Sequence, residues 1–203
     1  QFFKGGPLRD WFIFFPIEWF YAHWTDALIT INQDDYSVSR VLPVKHRYYI
    51  PGVGIDLQRV SNISESRRRK LREDVRKKFN VKDDDFFIIS VGELSKRKNH
   101  ATVIKAIHEL NDPHIKYAIA GIGNEKNNLC NLIREYHLEN RVKLLGYISN
   151  LDGLYYAADL NMFISKREGL GLGGLDGVAH GLYIIGNKRT GMKDYISSPE
   201  NGL

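Results

Sequence analysis

The sequence predicts an α/β protein organised on a parallel sheet, and three observations predict it. From Phe86 onward, short apolar runs alternate with helical patterns. The runs recur roughly every twenty to thirty residues, which leaves room for a crossover helix between parallel strands. A glycine follows directly after four of them, at Gly92, Gly121, Gly146 and Gly186, as tight turns out of a strand favour. Ligands of such sheets bind outside the C-terminal ends of the strands, so these turns are the first place to look for chemistry.

The elements follow in order. Trp11, Phe12, Phe14, Phe15, Trp19, Phe20, Tyr21 and Trp24 crowd into residues 11–24, with Lys4 and Arg9 ahead of them. Pro16 is expected to break or start a helix there. The run is shorter than the about 20 apolar residues that span a bilayer. Two readings stand for residues 1–24: a segment resting on a membrane interface, or rings packed against another part of the protein. Ala27–Ile31 reads as a short buried strand, Asn32–Arg40 as a polar helix and His46–Ile50 as a second strand. Pro51-Gly52-Val53-Gly54 is turn-rich and marks a boundary.

Much of the basic excess behind the formal charge of +5 lies between Arg67 and Lys78. Leu71, Val75 and Phe79 fall four apart in it, so the run reads as a helix with a narrow apolar stripe and a solvated basic face. Neither zinc-finger spacing nor an aromatic RNA-binding signature accompanies the charge, which argues against nucleic acid as a partner. The strands of the sheet are Phe86–Val91, Lys116–Ala120, Val142–Leu145, Leu160–Ile164 and Tyr183–Ile185. Between them lie helical patterns at His100–Leu110, Glu125–Tyr136, Leu151–Ala158 and Gly174–His180. The single cysteine, Cys130, excludes a disulfide framework and reads as a small buried helix residue.

One stretch organises the rest: Ser165-Lys166-Arg167-Glu168-Gly169-Leu170-Gly171-Leu172-Gly173-Gly174-Leu175-Asp176. It joins a buried strand to a helix start, is rich in glycine and carries an acid at each end. Glycine lets backbone approach a ligand closely, and a helix start offers free N–H groups to an anion. An anion in the middle with hydroxyls at both ends is the outline of a nucleotide-sugar.

On these residues the chain resembles the family-four retaining glycosyltransferases, through their Glu-x7-Glu motif, here Glu168-x7-Asp176. The resemblance implies a GT-B fold of two facing Rossmann-like domains. Residues 1–50 would be the C-terminal remnant of the acceptor-side domain. Residues 51–203 would be the nucleotide-sugar donor-binding domain without its C-terminal end, so the chain reads as a fragment. The family's Gly-Arg-Leu-x3-Lys segment is matched by Gly92, Glu93, Leu94 and Lys98, with an acid where the family has its arginine. Lys96 or Arg97 is placed to compensate.

By the same resemblance Lys98 holds the donor diphosphate, helped by backbone N–H groups near Gly171 and Leu172. Glu168 holds hydroxyls of the donor sugar and is the catalytic residue. Asp176 holds the ribose diol. Gly92, Gly121, Gly123 and Tyr147 line the donor cleft, as does the turn from Gly186 to Asp194. No metal and no cofactor is implied, and the histidine the family keeps in its first domain is not identifiable. The partners implied are a nucleoside-diphosphate sugar and a lipid-linked or saccharide acceptor, in bacterial polysaccharide or capsule synthesis. The place implied is the cytoplasm, peripheral on the inner face of the membrane. A GT-B epimerase or hydrolase, and a non-catalytic nucleotide-sugar-binding subunit, are the alternatives.

Two other motifs are set aside. Gly121-Ile122-Gly123 follows a strand, but Lys126 stands where a dinucleotide fingerprint needs Gly or Ala. Asp83-Asp84-Asp85 has the look of an Asp-x-Asp metal motif but precedes its strand, so it reads as a solvated turn at the wrong end of the sheet.

Overall fold

A computed structural model describes residues 8–187, 191–196 and 198–203; Lys4 and part of the turn from Gly186 to Asp194 lie outside them. The chain opens with helix α1 (Leu8–Ala22), strand β1 (Ala27–Thr30), helix α2 (Gln33–Ser39) and strand β2 (His46–Tyr49). Strands β1 and β2 pair in parallel as a two-stranded sheet. Asn32 caps α2, its side chain accepting from the Asp35 N–H at 2.7 Å. Two helices follow, α3 (Leu57–Ser61) and α4 (Glu65–Phe79).

The remainder alternates: β3 (Phe86–Val91), α5 (His100–Leu110), β4 (Ile115–Ala120), α6 (Lys126–Glu135), β5 (Val142–Gly146), α7 (Asp152–Ala157), β6 (Leu160–Phe163), α8 (Leu172–Ala179), β7 (Tyr183–Gly186) and a 3₁₀ turn at Gly191–Asp194. The five strands pair in parallel in the order β5-β4-β3-β6-β7. This is the doubly wound arrangement, with helices on both faces. Alternate residues of β3 show why. Ile88 joins Val103, Ile104, Ile107, Leu129 and Ile133 of α5 and α6. Phe87 and Ile89 point the other way, to Leu154, Tyr155 and Ala157 of α7, with Val75 and Phe79 of α4 beside them.

Five expectations are corrected. Strand β1 is not buried along its length: Ala27 and Ile29 are exposed and only Thr30 is buried, because one face of the two-stranded sheet is uncovered. Helix α1 runs through Pro16 without a break. The carbonyl that Pro16 leaves without a partner belongs to Phe12, which is 79% exposed and open to water. The basic face of α4 is not all solvated, because Arg76 is buried and Arg72 turns inward. Asp85 is buried, although Asp83 and Asp84 stay exposed; its carboxylate accepts from the Lys82 N–H at 2.8 Å, closing the turn before β3. Cys130 is on α6 and partly exposed rather than buried.

The inward arginines end helix α7. The last carbonyls of a helix lack intrahelical donors. Arg72 donates to the carbonyls of Tyr156, Ala157 and Ala158 at 3.1, 2.8 and 3.2 Å, and Arg76 donates to Ala157 O at 3.0 Å. Both also reach Asp159, at 2.7 and 3.2 Å, which accepts from the Phe87 N–H at 2.8 Å. Burial alone would raise the pKa of Asp159. The Phe87 N–H and the two guanidiniums outweigh it and hold the carboxyl below its ordinary value. Removing one partner of a buried ion network costs about 3–5 kcal/mol. Arg76→Met should therefore lower unfolding stability in urea by about that much, whereas Lys70→Ala, on the exposed face of α4, should stay within about 0.5 kcal/mol.

Candidate functional site

Strand order reverses between β3 and β6. The turns leaving these strands pass to opposite faces of the sheet, and the crevice between them is where α/β sheets take ligands. Both turns bear the charged residues singled out above.

The turn after β3 is tied down from below. Leu94 is buried; its N–H donates to Ile122 O and its carbonyl accepts from Glu125 N–H, both at 2.9 Å. A side chain at Gly121 would place its Cβ 1.8 Å from Gly92 O. Gly121 is thus required by the contact between two turns of the protein itself. His100 opens α5 and its Nε2 lies 3.2 Å from Glu93 O. Burial pushes His100 down to about 4, partly offset by that carbonyl and reinforced by Lys98, so at neutral pH it is uncharged. Lys98 runs along Gly92 with its ammonium 4.5 Å over the Phe163 ring.

The turn after β6 meets it. Lys166 N–H donates to Arg97 O at 2.8 Å. Glu168 Oε1 then receives both Lys98 Nζ and Arg97 Nη1, each at 2.6 Å. Gly171 caps α8 at φ +84, a left-handed conformation that suits glycine. The first helical bonds go to Gly171 O from the N–H groups of Gly174 and Leu175, which leaves Leu172 and Gly173 at the start of the helix without an intrahelical acceptor. Helix α8 lies very close to the sheet: a Cβ at Gly173 would sit 2.6 Å from Val91 O, and one at Gly177 2.1 Å from Asn161 Nδ2. Tyr195 donates to Gly171 O at 3.2 Å. Burial raises its phenol pKa, and Glu168 raises it further, so it stays a donor.

Asp176, in the second turn of α8, pairs with Arg59 of α3 at 3.1 Å. Arg59 also lies 3.7 Å from Asp152, which His180 Nε2 approaches at 3.3 Å. Arg59 carried no signal in the sequence: it lies in a short helix that periodicity did not reveal, 117 residues from its partner.

The predicted site residues line two adjoining cavities. One, of about 490 Å³, is lined by Gly92, Lys98, Glu168, Gly171, Leu172 and Asp176 among others. The other, of about 560 Å³, is lined by Gly92, Gly121, Gly123 and Tyr147. Val91, Gly92 and Glu93 belong to both. Every carboxylate expected to face a sugar hydroxyl is engaged with a cation, Glu168 with Lys98 and Arg97, Asp176 with Arg59. Among the described residues, one group has the donor atoms to hold a metal ion: Asp84, Asp85 and His114. It lies at the N-terminal ends of β3 and β4, the opposite edge from both cavities.

A doubly wound domain with a charged crevice at its switch point defines the class of α/β proteins that take ligands at the carboxyl ends of their strands. Residues 72–203 match the family described as glycosyl transferases group 1, and the chain belongs to it. It is 31% identical, over its whole length, to the putative glycosyltransferase EpsD of Bacillus subtilis, of which it covers 53%. Over 59% of the chain it is 33% identical to a Campylobacter jejuni 4-alpha-N-acetylgalactosaminyltransferase acting on a diphospho-undecaprenol, covering 33% of it. Among solved structures, Anabaena HepE in complex with UDP and glucose aligns with a TM-score of 0.78 at 21% identity, over 90% of this chain and 50% of that one. WaaG, a glycosyltransferase of lipopolysaccharide biosynthesis, aligns with a TM-score of 0.76 at 17% identity, over 98% and 56%. These neighbours share the GT-B fold. The chain thus spans about half the length of EpsD, HepE and WaaG.

His100 gives the site a pH signature. The unfolded chain binds the imidazole proton near pH 6.5 and the folded one near 4. Between those values the unfolded state holds the extra proton, so stability falls as pH falls, by about 3 kcal/mol in all. Urea midpoints of His100→Gln should vary less than wild type between pH 7 and 4; an unchanged slope would remove His100 as the titrating group.

Proposed function

We propose that the chain is the donor-binding part of a retaining glycosyltransferase. The enzyme transfers a hexosyl unit from a nucleoside-diphosphate sugar to a lipid-linked or saccharide acceptor in surface-polysaccharide synthesis. The observation that carries this reading is the meeting of Lys98, Glu168 and the start of α8 in one cavity at the switch point. HepE, solved with UDP and glucose, and the Campylobacter relative, named for a diphospho-undecaprenol acceptor, support the choice of substrates.

In this reading the diphosphate lies against Lys98 and the N–H groups of Leu172 and Gly173, where helix-start dipoles favour an anion. Glu168, released from its ion pair, takes hydroxyls of the sugar. Asp176 takes the ribose hydroxyls, with Arg59 holding its other side. Gly121, Gly123 and Tyr147 form the wall toward the base. The bond from the sugar carbon to the diphosphate breaks as the acceptor oxygen bonds to that carbon, and the acceptor's hydroxyl proton passes to the departing diphosphate. The leaving group keeps the electron pair, so stabilising its charge is the main work of the site.

Residues 51–203 would form the donor domain, and residues 1–50 the end of an acceptor-side domain. Parallel sheets are usually covered on both faces, yet Ile29 and Tyr48 in β1 and β2 are 56% and 52% exposed. That exposure supports further chain packing there in the whole protein. Phe12, Ile17, Phe20 and Tyr21 of α1 are also exposed. No helix among the described residues is long and apolar enough to cross a membrane. In this reading α1 rests on the surface that carries a lipid-linked acceptor.

Calorimetric titration tests the site. A hydrogen bond to a charged group is worth about 1.5–3 kcal/mol. Lys98→Ala should weaken nucleoside-diphosphate binding roughly ten- to a hundredfold and leave binding of the bare nucleoside unchanged. Equal diphosphate affinity in both proteins would take Lys98 out of the site.

A further inference from the structure

Four charged side chains converge where the turns after β3 and β6 meet, two cations and two anions. Lys98 Nζ and Arg97 Nη1 both lie 2.6 Å from the same oxygen, Glu168 Oε1. The two cationic nitrogens are therefore within about twice that distance of each other, a gap the oxygens of one diphosphate can bridge. Arg97 Nη1 also donates to Arg167 O at 3.0 Å. Its other terminal nitrogen, Nη2, lies 3.6 Å from Glu93 Oε2, an ion-pair distance but too long for a hydrogen bond.

The exposures differ in a telling way. Lys98 and Glu168 are 12% and 10% exposed in their side chains, whereas Arg97 and Glu93 are 44% and 56% exposed. The first pair is fixed in the floor of the crevice. The second sits at its rim, four residues apart in sequence, where an ion pair is weak and easily exchanged. A guanidinium carries five N–H donors in a planar fork that suits phosphate oxygens, and Arg97 has donors to spare.

We infer that Arg97 is the second cation of the anion-binding crevice and that Glu93 is its internal counter-ion, competing with the diphosphate for it. The inference rests on the proposed donor site and deepens it. Arg97 turns from Glu168 and Glu93 to the diphosphate as the ligand enters, which also frees Glu168. Glu93 pulls Arg97 back and weakens retention of the leaving diphosphate.

The test is a double-mutant cycle by calorimetry on the full chain. The probe is whichever of UDP, GDP, CDP and ADP the wild type binds best, with its bare nucleoside as control. Arg97→Ala should weaken the diphosphate about tenfold or more, with Arg97→Lys intermediate. Glu93→Gln should tighten it about two- to fivefold, the worth of an exposed ion pair. Glu93→Gln in the Arg97→Ala background should change nothing, and the nucleoside should bind all variants alike.

Wild-type affinity in Arg97→Ala, with Lys98→Ala still impaired, overturns the role of Arg97 and leaves the donor site standing. An undiminished gain from Glu93→Gln when Arg97 is absent shows Glu93 repelling phosphate directly and overturns the counter-ion. A wild type that binds none of the four nucleotides overturns both this inference and the proposed function.

Discussion

The closeness of α8 to the sheet fixes the rest of the site. At Gly173 and Gly177 no side chain fits between the helix and Val91 or Asn161. With the gap closed, Gly173 O accepts from Tyr155 Oη at 3.1 Å and from Asn161 Nδ2 at 3.0 Å, two groups rooted in α7 and β6. The start of the helix is thereby held over the end of β3. The preceding turn carries Glu168 onto Lys98 and Arg97. A larger residue at either glycine would lift the helix and separate the acid from its cations.

The strands were legible because a parallel sheet covered on both faces demands continuous apolar runs. Phe86–Val91 is a strand from end to end as read, and the other four strands of its sheet differ by a residue at an end. The glycines after them were legible as turns. Their physical reason was only partly so: Gly121 and Gly173 are needed for contacts within the protein, whatever they also offer a ligand. Pro16 misled because proline's cost to a helix falls where the freed carbonyl reaches water, and exposure is a property of the fold.

Charged residues were the least legible. Their partners come from other elements, and spacing along the chain does not reveal them. Arg72 and Arg76 looked like their neighbours in a basic run, yet they cap α7 and bind Asp159. Asp85 looked like Asp83 and Asp84 but is buried. The acids at both ends of the glycine-rich turn were readable as a pair. The arginines that hold them, Arg97 and Arg59, required the folded chain. One consequence is chemical: with each acid already paired, any hydroxyl that reaches Glu168 or Asp176 has to compete with a guanidinium.

In the proposed function a nucleoside diphosphate lies in the crevice between β3 and β6. The most direct test is a crystal structure of the protein with that ligand. Diphosphate density is expected within hydrogen-bonding distance, about 2.7–3.2 Å, of Lys98 Nζ and of the N–H groups at the start of α8, with the Glu168–Lys98 contact opened. Density at the opposite edge of the sheet, near Asp84, Asp85 and His114, with Glu168 still closed on Lys98, would contradict it.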